Sequence, residues 1–402
     1  RAGAELWRTD GTAEGTSRVD DLAPGRAGSH PSYLTAFDGA LYFAAATDLT
    51  GAELFRSDGT AGGSRLVEDI RRGHAGSEPR FLVAAAGASG GSGLLFFSAD
   101  DGLFGRELWR SDGALGFLGE ETELGFGSTG GSGTRRVRDI RPGAAGSDPL
   151  YLTWEPAEGR LFFSAADGAH GRELWASDGT AAGTTLVADL CQGVRGSAPS
   201  HLAAWRGKVY FSADDCRHGA ELWSSDGTAA GTRRLRDIRP GAAGSFPSYL
   251  TLLPRAAAAA GAGPSRTQDL LFFLATDGTP AVAAGAGLPE GLGGAQLWAT
   301  DGTAAGTRRA FRRQFTASDL VADRASLEAG WPARMAVLGG SLYLPGTRDP
   351  LVALESVVGS NERAEEGLPQ ALVVRDADSG PDDPLRLTLS CDKGELILGD
   401  VS

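Results

Sequence analysis

The residues that invite a chemical reading are carboxylates that return at regular intervals. Five Glu-Leu-aromatic triplets stand at Glu5-Leu6-Trp7, Glu53-Leu54-Phe55, Glu107-Leu108-Trp109, Glu173-Leu174-Trp175 and Glu221-Leu222-Trp223, with Gln296-Leu297-Trp298 as a sixth. Each is followed by an Asp-Gly step, at Asp10, Asp58, Asp112, Asp178, Asp226 and Asp301. A catalytic carboxylate needs one tuned environment, whereas five equivalent copies argue for a bonding role inside a repeated unit. The Asp before Gly is read as a turn residue, because Asp caps a turn with its side chain and Gly accepts positive φ.

Other candidates are less regular. Tyr33, Phe81, Tyr151, His201 and Tyr249, with Arg334 in a degenerate copy, recur after a Ser-x-Pro lead-in and form a candidate ligand-binding ring; packing between units is the structural alternative. Acidic loops at Asp100-Asp101, Asp167, Asp214-Asp215 and Asp277 are set against basic ones at Arg71-Arg72, Arg141 and Arg239, which suggests ion pairs between loops, with a Ca²⁺ or polar-ligand site on that face as the alternative. His170 and His218 lack a third ligand at zinc spacing. Cys191 and Cys216 replace non-Cys residues in loops of neighbouring units, which predicts a disulfide and an oxidising compartment, with free thiols as the alternative. Asp376, Asp378, Asp382 and Asp383 have the oxygen chemistry of a Ca²⁺ site, or make a solvated acidic turn. No P-loop is present.

The elements that carry these residues are read from one unit. Between Pro199 and Ile238 lie four short runs of strand-forming residues separated by polar turns, with no helical period. Each of the four strand types occurs six times, and the anchors recur at intervals of 48 to 75 residues. The expected fold is all-β: a six-bladed β-propeller over residues 1–347. The chain opens on a third-type strand and leaves the array after a second-type strand. Residues 4–8 are therefore expected to pair with 341–345 in a composite blade that removes open sheet edges. Residues 348–402 read as the first half of a β-sandwich domain that continues past Ser402.

The repeats resemble the ELWxxDGT family of bacterial and algal surface proteins over about residues 1–346, and their blades look like those of TolB-type propellers. The Asp-Gly turns resemble the Asp-box hairpin of sialidase propellers. The segment with Asp376-Ala377-Asp378-Ser379-Gly380 resembles a cadherin-like or chondroitin-sulfate-proteoglycan-type sandwich repeat. The ELWxxDGT resemblance implies a propeller and an exported protein, and no chemistry.

Bulk composition narrows the partners. A net charge of −13 argues against nucleic acid. No run of about 18 apolar residues could span a bilayer. The expectation is a structural or adhesive module of an extracellular or cell-surface assembly (matrix, surface fibre or ciliary appendage), with other protein chains, glycans or copies of itself as partners. The alternative is a carbohydrate-binding or carbohydrate-cleaving propeller, and the insertions at 115–133 and 279–294 are where asymmetry would favour it. Because its polar residues are copied from unit to unit, the segment is expected not to be an enzyme.

Overall fold

Runs such as Leu94–Asp100 and Lys208–Asp214 combine aliphatic and aromatic residues with turn-forming flanks, and they fold as strands. The computed structural model describes residues 3–86, 93–115, 133–254, 269–279, 295–315, 336–338, 341–343, 388–391 and 394–397. Among these residues every regular element is a strand.

A two-stranded sheet of β1 (Trp7–Arg8) and β2 (Ser17–Arg18) comes first. Sheet I holds β3 (Ser32–Phe37), β4 (Ala40–Thr47), β5 (Gly51–Ser57) and β6 (Ser64–Glu68). Sheet II holds β7 (Arg80–Ala85), β8 (Leu94–Asp100), β9 (Arg106–Ser111) and β10 (Arg135–Arg138). Sheet III holds β11 (Leu150–Glu155), β12 (Arg160–Ala166), β13 (Arg172–Ser177) and β14 (Thr185–Ala188). Sheet IV holds β15 (Ser200–Trp205), β16 (Lys208–Asp214), β17 (Ala220–Ser225) and β18 (Arg233–Arg236). Sheet V holds β19 (Ser248–Leu253), β20 (Leu270–Ala275), β21 (Ala295–Thr300) and β22 (Arg308–Phe315). Strands lie in chain order in all five. Every neighbouring pair in sheets I, II, III and V is antiparallel. Two hairpins follow, β23 (Ala336–Leu338) with β24 (Ser341–Tyr343), and β25 (Thr388–Cys391) with β26 (Gly394–Ile397).

The chain divides into two compact units, Arg1–Arg217 with Trp223–Arg233, and His218–Leu222 with Arg234–Ser402. In the first unit the core lies between successive sheets. Phe37, Tyr42 and Leu54 of sheet I pack with Leu82, Leu95 and Phe97 of sheet II. Phe96 and Leu108 of sheet II pack with Leu152, Leu161 and Phe163 of sheet III, and Phe162 and Leu174 pack with Val209 and Phe211 of sheet IV. This explains why second strands read as continuous apolar runs: both faces of β8 and β12 are buried. First strands lie side by side, β3 by β7, β7 by β11 and β11 by β15. Four-stranded sheets stacked face to face with their first strands adjacent make a propeller-like arrangement.

Glycine pairs let consecutive repeats touch. Gly51 and Gly76 both have positive φ, and a Cβ on Gly76 would lie 2.3 Å from the Ala52 amide nitrogen. The pairs Gly105/Gly146, Gly171/Gly196 and Gly219/Gly244 repeat the approach. Gly73, at φ +94, has open space where its Cβ would go. Gly73→Ala should therefore show only the left-handed penalty of about 1–2 kcal/mol. Gly76→Ala should lose a further 1–3 kcal/mol or so from backbone displacement, read as a larger drop in denaturant midpoint.

Candidate functional site

The recurrent glutamates sit at the joints between repeats. Glu53 is buried on β5, and its carboxylate accepts four hydrogen bonds: from the amides of Ile70 (3.3 Å), Arg71 (3.0 Å) and Ser77 (2.8 Å), and from the Ser77 hydroxyl (2.5 Å). Ser77 is the serine of the Ser-x-Pro lead-in to sheet II, so one side chain of sheet I holds the entrance of the next sheet. Glu107 repeats this with Ile140, Arg141 and Ser147, and Glu173 with Cys191 and Ser197. Glu5 holds Ser29. In the second unit Glu221 holds Ile238, Arg239 and Ser245. Burial pushes Glu53 up to about 7, against the lowering effect of its donors. Burial likewise raises Glu107, Glu173 and Glu221.

Gln296 differs. Its amide nitrogen donates to Asp277 Oδ1 at 3.1 Å, and its Oε1 is buried with no hydrogen-bond partner among the described residues. Burial works to raise Asp277, but donors from Thr279, Arg309 and Gln296 prevail and hold it well below the usual carboxylate range.

The Asp-Gly turns are self-contained. Asp10, Asp58, Asp178, Asp226 and Asp301 each accept the amide and hydroxyl of the Thr two residues on. The carboxylate then lies over a glycine five residues along the chain, such as Gly63 above Asp58, where no Cβ fits. The Thr hydroxyl and amide lower the pKa of Asp10, Asp58, Asp178 and Asp226.

The candidate ring residues all start first strands. Tyr33, Phe81, Tyr151, His201 and Tyr249 share φ between 54 and 57, each at a bulge such as the register shift between Ser32 and Thr35. Left-handed φ at a bulky residue is strained and survives only where surroundings impose it. In the first unit these rings form a ladder: Tyr33–Phe81 at 5.6 Å, Phe81–Tyr151 at 6.5 Å and Tyr151–His201 at 5.8 Å between centroids. All five are half-buried. Burial lowers the pKa of His201. Arg334 and Asp376, Asp378, Asp382 and Asp383, with their Ca²⁺ assignment, lie outside the described residues. Among the described residues no group of three or more His, Cys, Asp or Glu is placed to hold a metal, and no helix is long and apolar enough to cross a membrane.

The acidic loops pair with arginines, Arg71 and Arg195 in loops and Arg136 and Arg309 on the outer strands β10 and β22. Arg71 meets Asp100 at 3.1 Å, Arg136 meets Asp101 at 3.2 Å, Arg195 meets Asp214 at 3.1 Å, and Arg309 meets Asp277. Arg71 and Arg141 also lie across Gly102 and Gly168, with Nε 3.0 and 3.3 Å from where a Cβ would sit; Arg239 lies across Gly278 in the second unit. Cys191 stands at the Arg position and Cys216 at the Gly position of this arrangement, and they form a disulfide with Cα atoms 5.4 Å apart. Cys216 keeps the glycine-like φ of 63. A covalent link thus replaces an arginine laid across a glycine.

Sequence reasoning placed the glutamates in bonding roles and did not find their serine partners. The signal was present: Ser29, Ser77, Ser197 and Ser245 each follow their Glu at a sequence separation of 24.

No family model matches the chain, and no curated protein matches it. Solved structures do. A puromycin hydrolase variant matches with TM-score 0.42 and 14% identity over 76% of this chain and 41% of its own. A Mycobacterium tuberculosis puromycin-hydrolyzing peptidase matches with TM-score 0.38 and 14% identity over 77% and 41%. A prolyl endopeptidase matches with TM-score 0.26 and 12% identity over 72% and 50%. The chain spans about two fifths of the length of the first two. The expectation that the segment is not an enzyme is corrected by these matches, since the proteins concerned are hydrolases; copied scaffold residues do not exclude catalysis by residues outside the repeat. Likenesses this distant assign no activity to the chain.

Two outcomes test the joints. A folded pKa near 7 for Glu53, against 4.5, means the folded chain keeps a proton that the unfolded chain has released between those values. Its contribution is fully present below the unfolded value and is lost as pH rises through about 7. Glu53→Gln should shrink the drop in denaturant midpoint between pH 5 and pH 8, while Ser77→Ala should cost about 0.5–1.5 kcal/mol at pH 5, where Glu53 is protonated, and about 1.5–3 kcal/mol at pH 8. Cys191→Arg with Cys216→Gly should melt closer to the oxidised parent than Cys191→Ser with Cys216→Ser, because it rebuilds the arginine-on-glycine contact.

Proposed function

We propose that the chain is a six-bladed propeller of the ELWxxDGT type, closed by a composite blade from its two ends and leading into a cadherin-like sandwich repeat. It serves as a structural or adhesive module of an extracellular or cell-surface assembly. The observation that carries this reading is the use of the recurrent polar residues. The repeated Glu and Ser tie one sheet to the next, and the repeated Asp and Thr close turns. Such a scaffold presents loops while holding its own geometry. The Cys191–Cys216 disulfide supports an oxidising compartment. The net charge of −13 suits a soluble surface that avoids nucleic acid. Neighbouring protein chains, glycans or copies of itself are the partners this role implies. Carbohydrate binding is the second reading, favoured by the half-buried aromatic ladder.

Immunogold labelling of intact, unpermeabilised cells that produce the chain tests its location. Surface label is expected, together with a non-reducing peptide map containing the Cys191–Cys216 pair. Label confined to the cytoplasm with both thiols free would sink the reading.

A further inference from the structure

The first-strand entrances are alike in backbone and unlike in charge. At the residue between Ser and Pro, the units carry His30, Glu78, Asp148, Ala198 and Phe246; at the residue before the recurrent Glu or Gln, they carry Ala52, Arg106, Arg172, Ala220 and Ala295. Only sheets II and III are charged at both positions, and Arg80 adds a second cation to sheet II.

The structure places these five side chains as two ion-paired groups, Arg80–Glu78–Arg106 and Asp148–Arg172, set side by side by the backbone. Arg80 Nη2 lies 2.6 Å from Glu78 Oε2, and Arg106 Nη2 lies 3.3 Å from the same oxygen. The Arg106 carbonyl accepts the Asp148 amide at 2.9 Å, which sets Asp148 beside it. Arg172 Nη2 then meets Asp148 Oδ2 at 3.1 Å. The order is Arg80, Glu78, Arg106, Asp148, Arg172, alternating in sign. The two less exposed cations are fixed by carbonyls: Arg106 Nη1 donates to Glu78 O at 2.7 Å and Ser98 O at 3.2 Å, and Arg172 Nη1 to Asp148 O at 2.8 Å and Ser164 O at 3.1 Å. The carboxylates stay open to solvent, with Glu78 53% and Asp148 50% exposed, as does Arg80 at 44%. Arg106 and Arg172 are 14% and 24% exposed.

Three residues past Glu78 and Asp148 stand Phe81 and Tyr151, consecutive members of the aromatic ladder. The Arg172 charge acts on Tyr151, opposing the rise that burial causes there. Charged row and aromatic rungs therefore share one sector, between sheets II and III.

We propose that this sector binds a neutral glycan, its sugar rings against Phe81 and Tyr151 and its hydroxyls on Glu78, Asp148 and Arg80. Charge decides the class. A simple anion meets two carboxylates, and a simple cation meets three guanidiniums. A hydroxyl both donates to a carboxylate and accepts from a guanidinium, so a polyol can engage every member of an alternating row without a net charge of its own. Half-buried guanidiniums held by backbone carbonyls keep the row in one geometry before a ligand arrives, which lowers the ordering cost of binding. The assignment deepens the carbohydrate-binding reading and rests on it.

Titration calorimetry of the full chain with cellohexaose, xylohexaose and mannohexaose tests it, with polygalacturonate as the acidic comparison. At least one neutral oligomer should bind. Glu78→Gln with Asp148→Asn should weaken it about tenfold or more, as expected for lost hydrogen bonds to charged groups. Phe81→Ala should weaken it too, and His30→Ala on sheet I should not. Saturation-transfer NMR on the unaltered chain guards against misfolded variants, and should show the sugar C–H faces against Phe and Tyr ring protons. Binding by none of the neutral oligomers overturns the glycan site. Binding unchanged by the Glu78/Asp148 pair overturns its placement and leaves carbohydrate binding standing. Binding of polygalacturonate alone, lost in Arg80→Ala, overturns the neutral class. Surface labelling is read separately, so the site can fail while the extracellular module survives.

Discussion

A buried carboxylate with four donors is the interaction on which the rest of the structure depends. An isolated charge in such a place would carry a large desolvation penalty. At Glu53 and Glu107 that penalty is partly offset by two amides after the outer strand and by the amide and hydroxyl of a serine in the next repeat, and burial still raises both carboxyls. All of these donors are found only in the folded arrangement. The carboxylate therefore reports on three segments at once: its own third strand, the outer strand beside it and the entrance to the following sheet. Apolar packing between sheets supplies non-directional attraction, and the carboxylate sets which segment meets which.

Two departures from this pattern show what the joint tolerates. Where Gln296 replaces glutamate, Gly330 stands in the sequence where the other units have the seam serine. The anion and its hydroxyl partner have been lost together, as expected if each is costly without the other. At Cys191 and Cys216 the joint keeps its carboxylate and exchanges a neighbouring contact instead. The backbone accepts the exchange because Cys216 adopts the conformation that Gly102 and Gly168 adopt in other repeats.

Much of this was legible in the residues. Strand order follows from four apolar runs per repeat, and the glutamates were placed in bonding roles because five copies cannot each have a private environment. The Cys191–Cys216 pairing was legible because both residues break a repeat. The left-handed backbone at Tyr33, Phe81, Tyr151, His201 and Tyr249 was not: aromatic side chains carry no local preference for it, and the bulge arises from how the Ser-x-Pro entrance is gripped by the preceding sheet. The alternating row at Arg80, Glu78, Arg106, Asp148 and Arg172 was hidden for a different reason. Glu78 and Arg106 are 28 residues apart along the chain and Asp148 and Arg172 are 24 apart, and only the folded sheets make them neighbours.

The spacing of the carboxylate and its serine has a consequence for how the chain acquires its shape. Four of the five joints close a loop of 24 residues, and the fifth closes one of 40. Closing the longer loop costs less than about 0.6 kcal/mol more, so the insertion within it is nearly free in entropy. Short closures also form early. A chain emerging from the ribosome can lock each sheet to its predecessor within a few dozen residues of synthesis.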